Sequence, residues 1–156
     1  MKRYLACAVA LIAAVVVLVV LPLGAGASSD KRFVLGEQGT FTGDTTGGGT
    51  FAVSGALSDS GTFDSTFIIG AQKQNCFDNP SIDWTFTGSS GSVTMHGTGS
   101  SCIDGSNRGI FDAKFTITGG TGTYANLSGK GSATGEIDLN DGTFTTVFDG
   151  TAHFAH

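Results

Sequence analysis

The sequence is poor in proline and in charge, and each shortage argues against a class of protein. Two prolines among 156 residues, with 25 glycines that follow no three-residue period, exclude collagen-like chains and proline-rich linkers. Only 13% of the residues are charged, too few for a disordered acidic tail. Eight basic residues stand against 13 acidic ones, so we expect no nucleic-acid partner, because that affinity comes from clustered lysine and arginine.

The N-terminus has the three parts of a secretory signal peptide. A basic start is followed by an apolar run over residues 5–23 and by small residues up to Ala27. We therefore predict that residues 1–27 are a signal peptide, and that residues 28–156 form one secreted, extracellular domain. The alternative is an uncleaved membrane anchor, since the apolar run is about long enough to span a bilayer. After cleavage we expect no association with a membrane.

Two cysteines, Cys76 and Cys102, remain in the predicted domain, an even number in a chain destined for an oxidising compartment. The midpoint between them falls in the Gly-Ser-Ser-Gly cluster at 88–91. That cluster separates two alternating runs, 81–87 and 92–98, and so reads as the turn of a hairpin. Residues at equal distances from a hairpin turn lie opposite each other, so we predict a disulfide between these two cysteines.

Beyond residue 28 the apolar residues alternate with a period of two, which is typical of half-buried strands. The triplet Gly-Thr-Phe recurs at 39–41, 49–51, 61–63 and 142–144, each time at the expected start of a strand. With residues 32–42 at the front, this makes about eight strands. Such strands can close into a barrel, stack as two sheets or wind as a solenoid. Their succession as adjacent hairpins favours an all-β fold, a single eight-stranded antiparallel β-barrel.

The most specific stretch runs from 115 to 129 and reads FTITGGTGTYANLSG. Its glycines permit a sharp reversal, and one helical turn then presents Tyr124 and Leu127 on a single face that could plug a barrel end. The stretch resembles the Gly-Gly-Thr-Gly-x-Phe/Tyr-x-x-x-x-Gly element of the allene oxide cyclase and dirigent barrel superfamily, including its small secreted bacterial members. The resemblance implies an eight-stranded barrel with an apolar lumen. Some relatives are cyclases or guides for radical coupling, and their catalytic residues do not map onto this sequence.

One acidic residue, Glu37, interrupts the apolar pattern. Strict alternation with Phe33 and Phe41 directs it into the lumen, where burial would raise its pKa. A carboxyl group in that setting could act as a general acid or base, or could anchor a polar group of a ligand. The alternative is a β-bulge at Gly36 or Gly39 that returns Glu37 to solvent.

Three aromatic residues are candidates for lining a ligand pocket, namely Trp84, Phe86 and Tyr124. Large rings, two of them with a polar group, suit such a role, and a plain core role suits them equally. The histidines indicate no site, because alternation places His96 and His153 on the polar face. Spacing alone selects no Ser–His–Asp set, since serine and aspartate occur throughout the chain. We expect no metal site and no cofactor.

Three functions fit these observations. The first is a non-enzymatic extracellular module that binds a small apolar molecule in its lumen. The second is a cyclase, isomerase or coupling-guide enzyme with Glu37 as its lumen carboxylate. If phenylalanine rings fill the barrel to native density, neither ligand nor substrate can enter, and the protein is a structural surface module. The sequence leaves the oligomeric state open, a homo-oligomer included.

Overall fold

The computed structural model describes residues 30–155, which form a closed antiparallel β-barrel. The predicted signal peptide, residues 1–27, lies outside the described residues. The strands are β1 Lys31–Gly43, β2 Thr46–Gly55, β3 Asp59–Ile68, β4 Gln72–Lys73, β5 Cys76–Gly88, β6 Gly91–Ile103, β7 Arg108–Gly120, β8 Leu127–Asp138 and β9 Thr143–Phe154.

The eight long strands follow one another as an up-and-down meander in which every neighbour is antiparallel. Strand β3 pairs with β5 and strand β1 pairs with β9, so the ring of hydrogen bonds closes. Closure leaves no free sheet edge among these eight strands. The predicted eight-stranded antiparallel barrel is therefore confirmed. Strand β4, only two residues long, pairs with Cys76 and Phe77 of β5, beyond the part of β5 that pairs with β3. It was not predicted, because two residues carry no alternation.

The two ends of the barrel carry different connections. One end, here called the plugged end, holds the turns at 55–59 and 88–91 and the segment 120–127. The other end, here called the open end, holds the connections at 43–46, 68–76, 103–108 and 138–143. Because the strands alternate in direction, every second connection falls at the same end.

The glycine-rich segment closes the plugged end. A single 3₁₀ turn spans Gly122–Tyr124, and both Tyr124 and Leu127 are buried in the core. The carboxylate of Asp59 links the turn at 88–91 to the plug. It accepts hydrogen bonds from the backbone N–H groups of Ser89 and Ser90 and from the Tyr124 hydroxyl. The backbone N–H groups of Ser90 and Ser60, followed by those of Ser89, lower the pKa of Asp59 to about 2. The predicted plug is present, although Leu127 is already the first residue of β8.

The disulfide joins β5 to β6 at the open end. Cys76 and Cys102 are direct cross-strand partners, and their sulfur atoms are bonded. The hairpin between them closes at Gly88 opposite Gly91, as the sequence predicted. The register shifts once between Asn79 and Ile82, and this irregularity lets the cysteines face each other.

Candidate functional site

Aromatic rings fill the half of the lumen nearer the plugged end. Phe148 is fully buried at the centre, with ring centroids of Trp84, Phe86 and Phe115 at 5.3, 5.5 and 5.5 Å. Phe33 extends the cluster through its contact with Phe115, at 6.1 Å. The tilted and edge-on arrangement of these rings is the one that aromatic pairs favour.

Glycines opposite the rings create the space for them. A Cβ atom on Gly131 or Gly150 would lie 2.8 or 2.9 Å from the Phe115 ring, and one on Gly97 would lie 2.9 Å from the Trp84 ring. Side chains at these glycines would displace the aromatic core. The packing therefore alternates large and small residues across the lumen.

The half nearer the open end is unfilled. It contains a cavity of about 480 Å³, within the range of roughly 300–1,000 Å³ that is typical of small-molecule sites. Most of the wall is aromatic or aliphatic, and includes Phe41, Phe67, Phe77, Ile82, Trp84, Phe111, Ile137 and Phe144. The lumen is thus only half filled, which argues against the alternative of a barrel completely filled by phenylalanine rings.

The polar part of the cavity wall consists chiefly of buried side chains. Glu37 is 5% exposed, and Ser65, Asn79 and Thr146 are buried as well. Thr146 is the direct cross-strand partner of Glu37 and hydrogen-bonds to its carboxyl group. The second carboxyl oxygen, Oε2, has no hydrogen-bond partner among the described residues.

Alternation predicted the orientation of Glu37 correctly. Strand β1 stays in register with β2 from Phe33 through Phe41, so no bulge occurs at Gly36 or Gly39. The irregularity falls beyond that point, between Phe41 and Gly43. Because the register is unbroken, the carboxyl group shares the inward face with the phenylalanines on either side of it.

Burial determines the charge of Glu37. Loss of hydration raises the pKa of its carboxyl group to about 8, and the hydrogen bond to Thr146 only partly opposes this shift. At pH 7 the carboxyl group is therefore mostly protonated and neutral. A protonated carboxyl is a hydrogen-bond donor as well as an acceptor, so it can offer its O–H to an oxygen atom of a molecule in the cavity.

Of the three candidate aromatic residues, only Trp84 lines this cavity. Phe86 lies outside this cavity, because it packs in the filled half against Phe51 and Phe148. Tyr124 also lies outside it, because its ring belongs to the plug and its hydroxyl donates a hydrogen bond to Asp59. Alternation identifies an inward side chain without telling how far along the barrel axis it lies.

The sequence interpretation missed three buried polar residues of the wall, Ser65, Asn79 and Thr146. Ser65 and Thr146 share the inward parity of phenylalanines on their own strands, a signal that could have found them. Asn79 could not be found in this way. The irregularity before Ile82 reverses its parity, and its amide oxygen accepts a 2.8 Å hydrogen bond from the Ser101 hydroxyl.

Within residues 30–155, no three His, Cys, Asp or Glu side chains form a group that could hold a metal ion. In the same part of the chain, no helix has the length and apolar character needed to cross a membrane. Fold and site together define an up-and-down eight-stranded β-barrel with one filled and one open half. Comparison with protein-family models, curated proteins and solved structures found no match for the chain.

Proposed function

We propose that this chain is a secreted β-barrel module that binds a small, neutral, apolar molecule in the open half of its lumen. The observation that carries the proposal is the cavity itself, which has aromatic walls and one buried neutral carboxyl group. Concave apolar sites with few polar groups are the usual form of small-molecule sites. An eight-stranded barrel with an apolar lumen is also what the resemblance to the allene oxide cyclase and dirigent barrels implies.

The charges of the cavity favour a neutral ligand over an anionic one. Asp44 and Glu136 lie in its wall, and no lysine or arginine does. An incoming anion would meet like charge there and would gain no ionic partner. Oε2 of Glu37 is buried without a hydrogen-bond partner, which costs free energy. A ligand with one hydrogen-bonding group on an otherwise apolar molecule would supply that partner.

Occupancy can be read from Trp84, the only tryptophan of the chain, which lies in the cavity wall. We expect the neutral dye phenylnaphthylamine to bind and to quench Trp84 fluorescence. Ser65→Leu places an isobutyl group in the cavity and should weaken binding at least about tenfold, since the space for the dye is lost. Thr66→Leu, the adjacent outward residue of β3, is the matched control and should bind as the wild type does.

A series of competitors tests the chemistry of the ligand. Nonanone has one carbonyl oxygen, nonane has none, and nonanoate has an anionic group. We expect nonanone to displace the dye best, and its advantage over nonane to disappear in Glu37→Met, because the methionine side chain has no hydrogen-bond donor for the carbonyl. Equal displacement by all three would contradict the proposed polar contact, and failure of the dye to bind the wild type would contradict the binding function itself.

The second candidate is an enzyme of the cyclase or isomerase type, and the pKa of Glu37 near 8 favours it specifically. A carboxyl group with such a pKa can both give and take a proton close to neutral pH. If Glu37 acts in this way, wild-type protein in D₂O should exchange the protons next to the carbonyl of nonanone. Glu37→Gln should abolish the exchange while the ketone still displaces the dye. Displacement without exchange in the wild type leaves the binding module as the function.

A further inference from the structure

A serine, a histidine and an aspartate form a hydrogen-bonded row on the outer face of the plugged end. The Oγ atom of Ser128 lies 2.8 Å from Nε2 of His153, and Nδ1 of His153 lies 2.9 Å from Oδ1 of Asp30. Ser128 and His153 are direct cross-strand partners on β8 and β9. Asp30 immediately precedes Lys31, which pairs with the residue before His153. Three adjacent strands thus bring the side chains together in the order hydroxyl, imidazole, carboxylate.

A second row on the barrel shows that this arrangement does not follow from adjacency alone. Asp83, His96 and Thr116 are neighbours across β5, β6 and β7, and His96 Nδ1 lies 2.8 Å from Asp83 Oδ1. The hydroxyl of Thr116 nevertheless donates to the backbone carbonyl oxygen of His96. Of these two rows, the one with Ser128 connects the hydroxyl to the imidazole itself. His153 contacts Ser128 through Nε2 and Asp30 through Nδ1.

We propose that Ser128 is an activated nucleophile that accepts acyl groups from small esters, with His153 as its base and Asp30 as a positioning residue. Ser128 Oγ attacks the ester carbonyl carbon while His153 Nε2 takes the hydroxyl proton. The bond to the leaving oxygen then breaks, and His153 returns the proton to the departing alcohol. Water attacks the acyl-serine through the same base, which releases the carboxylic acid and restores the hydroxyl.

The surroundings of Ser128 set the class of substrate. The row lies on the outer barrel surface, outside the lumen cavity, with His153 and Asp30 side chains 39% and 55% exposed. Such an exposed surface can receive a short acyl ester. Lys130, two residues further along β8 on the same face, is exposed and forms no ion pair within residues 30–155. Its ammonium group can approach the oxyanion of the tetrahedral intermediate.

The test measures acylation of Ser128 by nitrophenyl acetate, with peptide mapping by mass spectrometry to locate the acetyl group. We expect acetyl-Ser128 in the wild type and none at this position in Ser128→Ala. His153→Gln should slow acetylation of Ser128 about 100-fold, since a general base contributes that much. His96→Gln is the matched control, because it alters the other histidine–aspartate row and should leave the rate unchanged.

Asp30→Asn tests the positioning residue separately. We expect a smaller loss of rate than in His153→Gln, together with a change of the His153 tautomer away from Nδ1–H in hydrogen–nitrogen NMR correlations. Circular dichroism should show that each variant remains folded, as expected for substitutions on the outer face. Acetylation confined to lysines, or acetylation of Ser128 at equal rates with and without His153, would overturn the proposal. Neither outcome bears on ligand binding in the lumen.

Discussion

The two halves of the lumen are built from the same eight strands and differ in which side chains point inward. Toward the plugged end, Phe148 and its neighbouring rings meet glycines and fill the space. Toward the open end, Phe41 and Phe144 pack against each other along the wall, with centroids 5.0 Å apart, and inward polar residues leave room between the walls. Stability and ligand binding can therefore reside in different halves of one barrel.

The largest expected effect is loss of the central ring of the filled half. Phe148→Ala should lower the free energy of unfolding by roughly 3–5 kcal/mol, because it removes a fully buried ring and leaves a void among the surrounding rings. Denaturant melts monitored by circular dichroism measure the change. Phe144→Ala, in the partly buried wall of the open half, should cost only about 1–2 kcal/mol. Equal losses would show that the two halves do not differ as described.

The next effect concerns the buried carboxyl group of the open half. The pKa of Glu37 is raised in the folded protein, so the folded state binds a proton that the unfolded state has released between about pH 4.5 and pH 8. Stability from this group is therefore present at low pH and is lost as pH rises toward 8. Between pH 5 and pH 9 the wild type should lose roughly 4 kcal/mol relative to Glu37→Gln.

Urea melts of both proteins across that pH range measure the difference. Glu136→Gln, which changes an exposed carboxylate at the same end, is the control and should show no comparable trend. A difference between wild type and Glu37→Gln that stays constant with pH would mean that the carboxyl group is hydrated in solution.

The disulfide should matter somewhat less. Cys76 and Cys102 are 26 positions apart in the sequence, and on the chain-entropy model a loop of that size contributes about 3.5 kcal/mol. Replacing both cysteines by serine should lower the unfolding free energy by about that amount, measured against the oxidised wild type. Because the bridge sits at the open end, binding of phenylnaphthylamine should weaken as well. Unchanged stability together with unchanged dye binding would show that the disulfide contributes neither to the unfolding free energy nor to the shape of the cavity.

The smallest effect is expected at the plug. The pKa of Asp59 is lowered to about 2 by its hydrogen bonds to the turn at 88–91, so its contribution is present above about pH 4 and is lost as pH falls toward 2. Asp59→Asn should speed hydrogen exchange at the amides of Ser89 and Ser90. Asp64→Asn, on the outer face of the same strand, is the control. Unaltered exchange at both amides would show that the plug does not depend on this carboxylate.

Features that depend on neighbouring residues along the chain were predicted from the sequence, and features that depend on distant residues were not. Period-two alternation identified the long strands and directed Glu37 inward, because side-chain direction along a strand is a local property. The turn at 88–91 similarly located the cysteine pair. Alternation could not identify Asn79 as inward, because one irregularity reverses the parity of its strand. It also does not tell how far along the barrel axis Phe86 and Tyr124 lie, and both lie outside the cavity.

The sequence by itself determined an all-β chain of adjacent hairpins, since alternation and turn residues are local features. It left open whether Glu37 points inward or returns to solvent at a bulge, and the predicted cysteine pair faces each other through the irregularity between Asn79 and Ile82. Only the tertiary structure decided that β1 closes on β9, that the lumen is filled toward one end, and that Asp30, Ser128 and His153 meet on the outer face. These features depend on contacts between residues distant in sequence. Strand register around a closed ring sets such contacts, and no local pattern encodes that register.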